Sequence, residues 1–111
     1  MKRILLIALV LFAVGSVKTQ VVYSVDSPFN ADLKVYVVNS KFNADLSVYR
    51  LKSKFQAQGN KGLWYFTDSV FSAKKKIYFV DSPFNADLKI YFVNSKFNVG
   101  WNKSSKKHLM Y

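Results

Sequence analysis

The chain has 111 residues, half of them hydrophobic, with ten Phe, seven Tyr, no Cys and a formal net charge of +11. Without Cys it can form no disulfide, thiolate metal site or lipid-modified N-terminal cysteine. Its length allows one small domain, and the basic excess favours anionic partners, although Lys also serves plainly for solubility and for blunting sheet edges.

Residues 1–16 read as a secretory signal peptide. Met1-Lys2-Arg3 is a basic head, Ile4 to Val14 is unbroken apolar sequence, and Gly15 and Ser16 are small. The rival, an uncleaved anchor, needs about 20 apolar residues to span a bilayer, and this run is shorter. Cleavage after Gly15 or Ser16, or just before Gln20, leaves a domain over 17–111. The expected location is secreted or periplasmic, with no stable membrane span after cleavage.

From Val22 the chain repeats a 13-residue unit six times, starting at Val22, Val35, Val48, Trp64, Ile77 and Ile90, with only Lys61-Gly62-Leu63 breaking the count. The second position is always Tyr (Tyr23, Tyr36, Tyr49, Tyr65, Tyr78, Tyr91). The sixth is always Ser (Ser27, Ser40, Ser53, Ser69, Ser82, Ser95), and the eighth always Phe (Phe29, Phe42, Phe55, Phe71, Phe84, Phe97). These eighteen residues are the expected structural core of the repeat. With no disulfides available, a dense aromatic core is the expected source of stability.

Each unit opens on a strand, as in Leu33 to Ser40, which is rich in Tyr and β-branched residues and has no helical period. Alternation puts Tyr36, Val38 and Ser40 on one face and Leu33, Val35, Val37 and Asn39 on the other. The invariant Tyr face is expected inward and the variable third position (Ser24, Val37, Arg50, Phe66, Phe79, Phe92) outward. The recurring Ser is expected to bond the backbone of the corner that follows. That corner, Ser-Pro-Phe-Asn-Ala-Asp in its cleanest copies, keeps Ser27 and Ser82 extended before proline. Asn30, Asn43 and Asn85 are good turn formers, with the Asp two residues on bonding local amides, and the Phe plugs the core. About six residues link successive strands, fewer than the 10–12 of a parallel crossover. Antiparallel neighbours, or a corner into a second sheet, are therefore expected, and a parallel solenoid is not.

A longer symmetry overlies the short one: Val25 to Asn43 matches Val80 to Asn98 at all but two positions. It reflects recent duplication, or a circuit completed in four units before a second lap, and the two are compatible. The fold class read from the residues is all-β, a small domain of six strand–turn units.

The pattern V/I-Y-x-V-D/N-S-x-F-x-A-D-L-K, followed by Val99-Gly100-Trp101 and a Lys-rich end, resembles the septoil-knot domain family over Val21 to Tyr111. The resemblance implies a small β domain of unknown function whose backbone winds into a seven-crossing torus knot, and it supplies no catalytic residues. Unit 3 (Arg50, Lys52, Gln56, Gln58) and the Lys74-Lys75-Lys76 triple of unit 4 depart from the pattern, so less regular strands are expected there.

Chemistry-bearing residues are sparse. His108, the one His, has no Cys or Glu to share a metal with and no nucleophile partner. Asp26/Asn30/Asp32 and Asp81/Asn85/Asp87 lack the spacing of a calcium loop. A six-fold repeat argues against a single catalytic centre, and no cofactor is expected. Trp64 and Trp101 break the symmetry and are expected as core or lid residues. Lys74, Lys75, Lys76, Lys103, Lys106 and Lys107 are candidate anion-binding residues, and the partners they suit are anionic envelope polymers or glycolipids. Nucleic acid is disfavoured, since Arg50 is the one Arg after the signal. The leading function is an exported, non-catalytic structural or binding domain, and the alternative is a hydrolase of surface polysaccharide built on paired Asp. Leu109-Met110-Tyr111, apolar after a soluble Lys-rich stretch, is expected to dock against the body.

Overall fold

The computed structural model describes residues 20–53, 56–57 and 59–111. The expected signal over 1–16 lies outside them, as does Phe55. Seven strands follow in order: β1 (Val21–Ser24), β2 (Leu33–Val37), β3 (Leu46–Arg50), β4 (Leu63–Phe66), β5 (Lys75–Phe79), β6 (Leu88–Phe92) and β7 (Gly100–Trp101). Unit 3 and unit 4 form their strands despite their unusual residues.

The expected antiparallel pairing is overturned. The first six strands are all parallel, in the order β4-β1-β5-β2-β6-β3, and a further β3–β4 pairing closes the ring into a barrel. Only β7 runs antiparallel, along β3. The crossover rule presumes a chain that returns to lie beside the strand it has just left. Here consecutive strands are mostly not neighbours. Ser24 at the end of β1 and Leu33 at the start of β2 flank Ile77 of β5 in one row. They are separated by two interstrand spacings, about 10 Å, with no length of strand to retrace. The rule holds at the one place it applies: β3 and β4 are consecutive and adjacent, and residues 51–62 between them make the longest connection in the barrel.

One register repeats at all six junctions: a third-position residue stands against the first-position residue of the next strand. The pairs are Ser24↔Ile77, Phe79↔Val35, Val37↔Ile90, Phe92↔Val48, Arg50↔Trp64 and Phe66↔Val22. A constant slip in a closed barrel tilts the strands and relates the units by rotation about the barrel axis. The units therefore sit at one height. The chain visits alternate slots (β1, β2, β3), shifts by one slot at β4, and fills the gaps with β5 and β6. It completes its first circuit between β4 and β5, not after four whole units. Unit 5 lies between units 1 and 2 instead of over unit 1.

The inward face is the reverse of the expected one. All six first-position residues, Val22, Val35, Val48, Trp64, Ile77 and Ile90, are fully buried, and Leu33, Leu46 and Leu88 join them from two residues earlier. Each such aliphatic side chain contributes roughly 1.5–3 kcal/mol by leaving water. The core is mainly aliphatic, with Trp64 the sole fully buried aromatic among the described residues. The six repeat Tyr are half-buried on the outer face. With the interior filled, each slot-skipping connection must pass outside the strand it crosses. This covers the outward Tyr from above and explains their invariance without a place in the core.

The third position, read along the chain, looks freely variable. In slot order it alternates: Phe66, Ser24, Phe79, Val37, Phe92, Arg50. Phe66, Phe79 and Phe92 pack against the core, with ring centroids 6.3 Å apart for Phe66–Phe79 and 6.4 Å for Phe66–Phe92. The Arg50 guanidinium lies 4.2 Å from the Phe66 centroid and 5.3 Å from that of Phe92, a cation–π cap over one mouth. Met110, fully buried, is held by Gln20 Nε2 donating to its carbonyl (3.3 Å). The C-terminal segment docks through the 3-10 helix Ser104–Met110, as its composition suggested.

Candidate binding belt

Between the strands lie five described 3-10 turns: Pro28–Asn30, Lys41–Asn43, Val70–Ser72, Pro83–Asn85 and Lys96–Asn98. Four are capped by the recurring Ser. The Oγ of Ser27, Ser40, Ser82 and Ser95 accepts the backbone N–H of Phe29, Phe42, Phe84 and Phe97 at 3.2–3.4 Å. This is the corner bond expected of that position. Ser69 makes no such cap. Its own N–H instead donates to Thr67 Oγ1 (3.2 Å).

The cap fixes the backbone of the Phe and leaves its side chain in solvent. Phe29 is 95% exposed, Phe42 89%, Phe71 98%, Phe84 95% and Phe97 86%. The expected plug over the core is thus absent at every described copy. The reason is geometric: the connection passes outside the barrel, so its midpoint is the part farthest from the core. Rotation about the barrel axis sets these Phe in one belt around the circumference.

The Asp that follows each turn does not bond local amides. It grips a strand of the other circuit. Asp32 donates its N–H to Lys76 O (2.7 Å) while its Oδ2 accepts Lys76 N–H (2.9 Å). Asp45 does the same to Lys89, and Asp87 to Lys34. The equivalent position of unit 4 is Lys74, which keeps the backbone bond to Val21 O but has no carboxylate to complete the pair.

Two crevices, of ≈ 680 Å³ and ≈ 630 Å³, open between successive connections. One is lined by Tyr36, Asn39, Phe42, Asn43, Asp45, Lys89 and Lys103 among others. The other is lined by the equivalent residues Tyr23, Asp26, Phe29, Asn30 and Asp32, with Lys76.

The candidate lysines do not form one patch. Lys74, Lys75 and Lys76 lie at the start of β5, beside β1. Lys103 lines the Tyr36 crevice at the β3 side of the barrel, and Lys107 is exposed nearby in sequence. Lys106 is engaged internally: its Nζ reaches Asp45 Oδ2 (3.1 Å) and Asp87 O (3.0 Å). Trp101 donates from Nε1 to Asn60 O (2.8 Å), and His108 is exposed. Among the described residues no group of three or more His, Cys, Asp or Glu is placed to hold a metal. No described helix is long and apolar enough to cross a membrane.

The family model of the 7(1) septoil knot domain matches residues 19–102. The chain belongs to the septoil-knot domain family. Comparison with curated proteins and with solved structures found no match. The match spans all seven strands of this septoil-knot domain and every described turn of its belt. Within the matched span the strands fall into two interleaved circuits of one closed barrel.

Proposed function

We propose that this septoil-knot domain is an exported, non-catalytic binding module that engages an anionic polymer of the cell envelope. The observation that carries this reading is the belt of solvent-exposed Phe on capped turns, in a chain of net charge +11. Exposed aromatics held on a fixed backbone serve no packing purpose in the monomer, and surface apolar groups gathered in order mark interaction sites. Lysines between them attract anions at long range and weaken with salt.

The disposition of the acids supports a module over the alternative, a polysaccharide hydrolase. Asp32, Asp45 and Asp87 spend a carboxylate oxygen on backbone N–H groups, while Asp26, Asp68 and Asp81 are exposed on separate units. Among the described residues no carboxylate is both buried and unengaged, and neither crevice is lined by two unengaged carboxylates as paired glycosidase acids would be.

Sedimentation of the purified protein with isolated envelope polymers, at low and at physiological salt, tests the proposal. Binding that falls as salt rises, with the polymer recovered at its original length, is the expected result. Retention by neutral polymers only, or shortening of the chains, overturns it.

A further inference from the structure

We infer that the crevices between successive connections are saccharide subsites, repeated around the barrel, and that the ligand is an anionic polysaccharide lying along the belt. The inference rests on the binding reading above and specifies its chemistry. The Tyr23 and Tyr36 crevices are the same site in adjacent units of the first circuit. Each has the unit's second, fifth, eighth and ninth positions and a Lys from the strand crossed beneath, Lys76 or Lys89. Unit 5 carries the same set at Tyr78, Asp81, Phe84 and Asn85, with Lys34 in the strand it crosses.

The lining suits a sugar ring. Phe and Tyr offer flat apolar faces to the C–H side of a pyranose, and a polar edge for its hydroxyls comes from the Tyr O–H. Asn amides donate and accept at once, as hydroxyl pairs require. Lys supplies the cation for a carboxylate, sulfate or phosphate on the ring. Of the acids in the same linings, Asp32 and Asp45 each spend an oxygen on a strand N–H, and Asp26 stands exposed beside the Tyr23 crevice. Volumes of ≈ 680 and ≈ 630 Å³ lie within the range of small-ligand sites, roughly 300–1,000 Å³, but the crevices are open, so one subsite alone binds weakly. Linked sugars engaging neighbouring subsites turn weak contacts into avidity. The circumferential placement favours this occupant over a lipid surface, because a plane meets only one side of a belt whereas a flexible chain follows it.

The test uses the full domain with alginate oligomers of three and of eight sugars, inorganic polyphosphate as charge without rings, and phosphatidylglycerol vesicles. The variants are Phe29→Ser/Phe42→Ser/Phe84→Ser and Lys76→Gln/Lys89→Gln. Expected is at least about tenfold tighter binding of the longer oligomer. The triple Phe variant should lose about tenfold toward alginate and nothing toward polyphosphate, with its thermal midpoint unchanged. If alginate and polyphosphate bind alike and the Phe variant is neutral while the Lys variant is not, the subsites are refuted and anion binding stands. Phe-dependent vesicle binding without alginate binding refutes the saccharide assignment in favour of a lipid surface. Failure to bind any probe removes both readings.

Discussion

Phe42 and Ile90 show how little a residue's invariance says about its depth. Phe42 belongs to a position that never varies and is 89% exposed, whereas Ile90 belongs to one that varies among Val, Ile and Trp and is fully buried. Repetition preserves whatever each copy must do, and a capped outward turn is as constant as a core. Ile90→Ala is expected to destabilise by about 2–5 kcal/mol, as core truncations do. Phe42→Ser should stay within about 0.5 kcal/mol, as exposed positions do. Urea denaturation of both variants checks the contrast, and a large loss at Phe42 would contradict its exposure. Gly62 is sensitive for another reason. Its φ is +109°, and a Cβ there would run into the carbonyl oxygen of Ser47. Gly62→Ala should therefore cost about 1–3 kcal/mol from backbone strain alone, before the collision is added. A melting temperature at the wild-type value would show that β4 can enter its slot without a close approach.

At the scale of elements, strand alternation, the Ser caps and the docked C-terminal segment were legible in the sequence. The facing of the strands and their direction were not. Tyr36 alternates with Val35 as a strand requires, but which side is inside depends on where the connections run, and no local pattern records that. Pairing direction failed likewise, because a short link forbids a parallel neighbour only when the linked strands are neighbours. The third-position Phe residues became intelligible once slot order replaced chain order. In the belt of 3-10 turns, residue types were legible and exposure was not: Phe29 and Phe84 read as plugs because the turn around them is otherwise polar. The Asp clamps also escaped notice, since their partners lie 44 or 53 residues away. Asp45 is the best place to weigh one. It is 3% exposed, accepts Lys89 N–H and pairs with Lys106. Asp45→Ala should destabilise by about 1–3 kcal/mol per group left unsatisfied, and Asp45→Asn, which keeps an acceptor oxygen, by less. Equal losses in chemical denaturation would assign the effect to charge and not to the clamp.

Across the whole molecule the two circuits are held together at their last element. Met110 completes the core, Gln20 holds its carbonyl, and Asn60 Nδ2 donates to Lys107 O (2.9 Å). Asn102 and Lys106 fasten the same region to the turn and clamp of unit 2. Truncation after Lys107 removes the Met110 plug and should speed unfolding in denaturant by at least about tenfold, the rate equivalent of about 1.4 kcal/mol. The quantity to read is therefore a rate of unfolding and not an equilibrium midpoint. An unchanged unfolding rate would mean that the docked segment does not restrain the circuits.

The three residues Lys61-Gly62-Leu63 carry a consequence that is arithmetical. A chain that advances two places at a time around six can reach only half of them, and a third identical step would land back on β1. One odd step changes the parity and opens the other half. Open solenoids lengthen by copying a repeat at either end, since each new coil finds a fresh neighbour. This barrel has no vacant place for another copy. A further copy would have to open the closed ring to find a neighbour, so the number of units is set by the count of places around it.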